Sequence, residues 1–138
     1  MRSDQSVDSR WWYWILAHPV GFVIGTPLIV LLGLLIAIPV VGLVADSGTA
    51  FGALWLLLLL LAGVFLTFVI LMLMAVFVML PFALYFDAKA IRDAPVDWNP
   101  DPLVYALLGA LQFVVTPLVG LIVGSYYVYR RHVELGVP

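Results

Sequence analysis

Gln112 and Thr116 are the most interior polar side chains of the last long apolar stretch, and they stand four residues apart. On one helix they would share a face, where polar groups either bond a neighbouring helix or line a path for a solute. Neither titrates, so neither can relay a proton. The structural reading is the stronger one: an interhelical hydrogen bond worth about 0.6 kcal/mol, or Thr116 bonding back onto the helix near Pro117. Ser125 lies roughly 180° from Thr116 at ~100° per residue, which weakens a continuous pore lining.

His18 and His132 are the only histidines, and no His-xxx-His or Glu-xx-His pair exists. One imidazole is not a metal site. Asp87, Asp93, Asp97 and Asp101 gather around one connection, where several carboxylates could attract a hard cation. Their spacing fits no binding loop and no glycine supplies a sharp turn, so they read as a solvated acidic loop. The chain has no cysteine, which removes thiolate zinc sites, disulfides and cysteine nucleophiles. No phosphate-cradling glycine loop is present, and no serine has a base beside it. These residues point to no catalysis, no cofactor and no metal, and the absence of a basic stripe excludes nucleic acid.

Three glycine pairs carry the small-xxx-small spacing that lets membrane helices approach closely: Gly21/Gly25, Gly48/Gly52 and Gly120/Gly124. With eleven glycines in 138 residues, about one such pair arises by chance, so three are a modest excess over a weak motif. The first and last pairs are candidates for helix packing, within the chain or between copies. The middle pair straddles a turn.

The elements that must position these residues are set by composition. Hydrophobic residues make up 65% of the chain and charged residues 10%, against about half and a quarter in a soluble domain. Residues 11–45, 47–86 and 102–129 carry no Asp, Glu, Lys or Arg. A small soluble fold buries only about two-thirds of the surface its unfolded chain exposes, so lipid is the solvent that suits this sequence. The charge-free spans also leave no intramembrane proton relay or buried counter-ion.

The N-terminal tail, 1–14, ends in Trp11, Trp12, Tyr13 and Trp14, a belt suited to the headgroup level. It reads as a retained anchor rather than a cleaved signal, because its polar part mixes acids with bases and the apolar run is too long. Pro19 suits the first turn of a helix, and a first span follows at 20–45. Asp46-Ser47-Gly48-Thr49 reads as a turn.

Phe51–Phe86 is 36 residues without a charge. One helix of that length measures about 54 Å, and two spans would need a turn inside lipid. The preferred division is a tilted span at 51–80, a kink at Pro81, and an interfacial helix at 82–93 carrying a Lys89–Asp93 pair. Three prolines make 94–102 a loop, with Trp98 at the interface. A last span, 103–129, takes Pro117 near its middle, and 130–138 is the C-terminal tail. Tyr126, Tyr127 and Tyr129 supply the exit belt, and Arg130 and Arg131 anchor the helix end to headgroups at about 1 kcal/mol each.

The segments YFDAKAIR (85–92), DWNPDP (97–102) and YYVYRRH with LGVP (126–138), with WWYW at 11–14, resemble small multi-span membrane proteins of halophilic archaea. Seven Asp to one Glu and five Arg to one Lys fit that setting. The resemblance implies a plasma membrane and a high-salt habitat, and it assigns no functional residue.

The sequence therefore predicts an all-α integral membrane bundle of three transmembrane helices, with four as the alternative, and the N-terminus in the cytoplasm. Its partners are the lipid bilayer and either copies of itself or a larger membrane complex. The predicted function is a non-enzymatic accessory or scaffolding subunit. A small homo-oligomeric channel or transporter is the alternative.

Overall fold

The computed structural model describes Val7, Ser9–Ala45, Gly48 and Ala50–Gly136, and all its regular elements are helical. They are α1 (Trp12–Ala45), α2 (Ala50–Arg92), α3 (Pro102–Ala110), a 3-10 turn (Leu111–Phe113) and α4 (Pro117–Leu135). The middle glycine pair falls partly in the α1–α2 connection, of which Gly48 alone is described; its φ of +90° is one that side chains rarely adopt.

The helices divide into two compact units. The hairpin unit, Val23–Met74, takes the second part of α1 and the first part of α2. The two helices run antiparallel, because Gly42 meets the Trp55 ring near the turn and Gly25 meets Leu73 far from it. Only Gly25, Pro39 and Gly52 are buried in this unit among the described residues. Side chains such as Val44, Val64 and Phe68 are more than 60% exposed. Among its described residues the unit has helix contact but no buried large side chain.

The terminal unit, residues up to Phe22 and from Ala75 onward, holds the core: Ile15, Leu80, Ala83, Leu84, Ala88, Ile91 and Tyr127. The α2 members recur every three or four residues and so form one buried stripe.

Three predicted boundaries change. The first helix starts at Trp12 rather than at residue 20. Pro19 lies inside it because Ile15 and His18, on one face of the turns just before it, are fully buried, and that packing outweighs one lost hydrogen bond.

The predicted division into a span at 51–80 and an interfacial helix at 82–93 is replaced by one helix through Pro81. A proline in a helix leaves the carbonyl four residues earlier without its donor, here Phe77. Gln112 Nε2 donates to that carbonyl at 2.9 Å, and the core stripe continues on both sides of Pro81.

The predicted last span, 103–129, is broken, so the three-span count is not met by three long helices. Two helices are long and apolar enough to cross a membrane, Trp12–Ala45 and Phe51–Arg92. The apolar stretch Pro102–Phe113 is about 18 Å long, short of a ~30 Å hydrocarbon core. The break falls at Thr116, whose backbone is extended (φ −169°, ψ 149°), the conformation favoured before proline. Thr116 then caps α4 by accepting from Leu118 N at 3.4 Å. Asp101-Pro102 repeats the device at α3, with Asp101 accepting from Leu103 N at 2.9 Å and Val104 N at 3.1 Å.

Candidate functional site

Two buried polar clusters lie in the terminal unit. The first centres on Asp87, which sits on the buried stripe of α2 and is fully inaccessible. Its Oδ1 accepts from Ser9 Oγ. Its Oδ2 accepts from the Tyr127 hydroxyl at 3.0 Å and from Arg131 Nε at 3.1 Å. The Arg131 side chain is 2% exposed, and its guanidinium carbon lies 5.7 Å from the centre of the Trp12 ring. The pair therefore joins α2 to α4 in a site shielded from water, and Ser9 ties the segment just before α1 to it. A buried carboxylate with one cation and two hydroxyl donors is well satisfied, although Arg131 Nη1 has no hydrogen-bond partner.

The second cluster joins α1, α2 and the 3-10 turn. Gln112 is 4% exposed. With its amide nitrogen committed to Phe77, its oxygen faces His18 Nε2 at 2.7 Å, so the imidazole donates there. In the neutral ring this leaves Nδ1 as the lone-pair nitrogen, buried and without a partner. The Phe77 ring lies 4.5 Å from the His18 ring. Gly120 makes room for the cluster: a Cβ there would overlap Gln112 Oε1 and lie 2.9 Å from His18 Nε2.

These placements depart from several sequence-based assignments. Gln112 and Thr116 do not share a helix face, because the chain leaves the helix between them. The four aspartates do not converge: Asp87 is buried, Asp101 is a cap, and Asp93 and Asp97 are exposed. Arg131 is not a headgroup anchor but a buried ion-pair partner, which also corrects the reading that no buried counter-ion exists. Arg130 pairs with Glu134 at 3.0 Å. Lys89 and Asp93 form no ion pair.

Tyr127 is buried rather than part of an exit belt, packed with Tyr105 at 4.8 Å and Trp98 at 5.5 Å between ring centres. Trp98 itself is half-buried, as are Trp11, which stacks on Phe86 at 4.8 Å, and Trp12. Trp14, Tyr126 and Tyr129 are exposed.

Three of the four candidate packing glycines meet other parts of the chain. Gly25 faces Leu73, Gly120 faces the His18–Gln112 pair, and Gly124 lies against the Ile15 carbonyl and Leu80; Gly21 is half-buried. Among the described residues no group of three His, Cys, Asp or Glu could hold a metal ion. No protein-family model, curated protein or solved structure matches the chain.

One signal in the sequence points to the ion pair. Leu80, Leu84, Asp87 and Ile91 are spaced four, three and four apart; Gly120, Gly124, Tyr127 and Arg131 repeat that spacing. A charge of opposite sign on each of two otherwise apolar helical faces is the mark of a buried pair.

Proposed function

We propose that this chain is a multi-pass plasma-membrane protein acting as a non-enzymatic accessory or scaffolding subunit, docking with a larger membrane complex or with copies of itself. The observation that carries this reading is the hairpin unit. Its side chains face outward, it is free of charge from Val23 to Ala45 and from Ala50 to Met74, and its buried residues are two glycines and a proline. In water each exposed large apolar side chain would forgo about 1.5–3 kcal/mol of burial; in hydrocarbon that penalty vanishes.

Topology follows from charge. If the hairpin crosses and returns, all six Lys and Arg residues fall on the side of the chain ends, and none falls in the α1–α2 connection. The positive-inside rule then puts both ends of the sequence in the cytoplasm. Within the terminal unit, the turn between α3 and α4 has an apolar surface suited to lipid. The exposed Phe113, Val114 and Val115 there support this, as do the local acceptors of the Val114, Val115, Leu118 and Val119 amides. The halophile resemblance and the Asp and Arg bias support a plasma membrane in a high-salt archaeon.

Docking is supported by Gly33 and Ala37, exposed and four residues apart on α1. A Cβ at Gly33 would meet nothing within 4 Å, so this glycine costs helix stability of about 1 kcal/mol with no close contact inside the chain. A partner helix approaching that face would use it. The buried polar side chains of the terminal unit, Ser9, His18, Asp87, Gln112 and Arg131, bond one another, Tyr127 or a backbone carbonyl, a structural use that favours scaffolding over catalysis or conduction.

The test is the native mass of the gently extracted protein with its co-purifying chains. A reproducible assembly that Gly33→Leu dissolves is the predicted result. A wild-type monomer, or an assembly indifferent to Gly33→Leu, would defeat the docking role.

A further inference from the structure

Within the terminal unit, α2 and α3 leave an open apolar groove of about 550 Å³ between them. Its existence follows from residue size. Gly109 brings α3 against Pro81 and Leu84, and the α3 residues lining the groove nearby, Ala106 and Ala110, are too small to fill the space beside that crossing. The walls are larger: Phe82, Phe86, Leu107 and Phe113, all at least 41% exposed. From Val78 to Phe86 the α2 wall runs about 12 Å, just under the ~15 Å of one leaflet's hydrocarbon.

The same face of α2 continues past the groove into charge. Val78, Phe82, Tyr85, Lys89 and Arg92 are spaced four, three, four and three apart, so they fall in one row on the helix. Lys89 and Arg92 are both exposed. Among the described residues the ion pairs are Arg131–Asp87 and Arg130–Glu134, so these two cations are unneutralised. Asp93 lies nearby without closing on Lys89. An apolar slot of leaflet depth that ends at two unneutralised cations is complementary to a molecule with a hydrocarbon chain and an anionic head.

We propose that this groove is a binding site for an anionic phospholipid, with one lipid chain between α2 and α3 and the phosphate against Lys89 and Arg92. The proposal rests on the membrane reading above. It assigns the groove a lipid because its apolar slot of leaflet depth and the two cations at its end match a hydrocarbon chain and an anionic head in one molecule.

The experiment reconstitutes the full chain into nanodiscs of equimolar phosphatidylglycerol and phosphatidylcholine, re-extracts it in mild detergent and counts retained lipids by mass spectrometry. Each cation near an anionic lipid is worth a factor of about five, so the wild type retains phosphatidylglycerol about five- to twenty-five-fold over phosphatidylcholine. Lys89→Gln with Arg92→Gln abolishes that preference. Ala110→Phe, which fills the slot, lowers retention of both lipids while leaving the melting temperature in detergent in place.

Equal retention of the two lipids by the wild type would overturn the proposal, as would a preference indifferent to the Gln variants. So would disulfide dimers of Phe82→Cys that form equally well with or without phosphatidylglycerol. Carbonate extraction of native membranes, run first, separates the two failures. A chain released by carbonate defeats the membrane reading itself, whereas a retained chain without lipid preference defeats only the groove.

Discussion

The Gln112 side-chain amide donates to the Phe77 carbonyl at 2.9 Å, the one carbonyl that Pro81 leaves without a helical donor. A residue that reads from sequence as a polar intruder is thus a structural consequence of a proline in another helix, 31 positions away in number and adjacent in space. The same amide holds His18, so one side chain ties α1, α2 and the 3-10 turn.

This relationship makes a coupling prediction. Gln112→Leu leaves both the Phe77 carbonyl and the His18 Nε2–H unsatisfied and lowers stability by about 1–3 kcal/mol. In a Pro81→Ala background the helix supplies its own donor to Phe77, so the same change costs less. A double-mutant cycle by thermal unfolding in detergent measures the difference; strict additivity would contradict the assignment.

Asp87 and Arg131 should behave as a buried pair. Removing either partner alone, as in Asp87→Leu or Arg131→Leu, lowers stability by about 3–5 kcal/mol, because a bare charge remains. The double variant loses less than the sum of the two. Chemical denaturation of the four proteins is the check, and single variants within about 0.5 kcal/mol of wild type would refute the pairing.

Gly120 and Gly124 share a motif but not a sensitivity. Gly120→Ala drives a methyl into Gln112 and His18, at a cost of about 1–3 kcal/mol. Gly124→Ala meets nothing nearer than 3.6 Å, so it is tolerated and gains up to about 1 kcal/mol of helix propensity. Melting temperatures of the two variants should therefore shift in opposite directions; equal losses would mean that the two positions are packed alike.

Much of this arrangement is legible in sequence. The charge-free stretches locate the long helices, since Lys, Arg, Asp and Glu are expelled from apolar surroundings, whereas the predicted turn at Asp46-Ser47-Gly48-Thr49 lies outside the described residues apart from Gly48. What one-dimensional reading misses is partnership. Pro81 reads as a stop because its compensating donor is far along the chain, whereas Pro117 reads as tolerated although Thr116 is a ready N-cap with proline at N1. Asp101-Pro102 carries the same signature, and recognising the pair would have split the last span. Asp87 reads as part of a solvated acidic loop and Arg131 as a headgroup anchor because each sits at the edge of an apolar run; their place on the apolar faces, rather than their distance from the run's centre, decides their burial.

A Val23–Met74 hairpin that crosses a membrane and returns puts its α1–α2 connection on the side opposite both of its ends. The chain has no cysteine, so single cysteines report sidedness without interference. Ser47→Cys lies in the α1–α2 connection, and His132→Cys lies at an exposed position near the end of α4. With that topology an impermeant maleimide labels Ser47→Cys on intact cells and reaches His132→Cys only after permeabilisation. Labelling of both positions from the same side would contradict it.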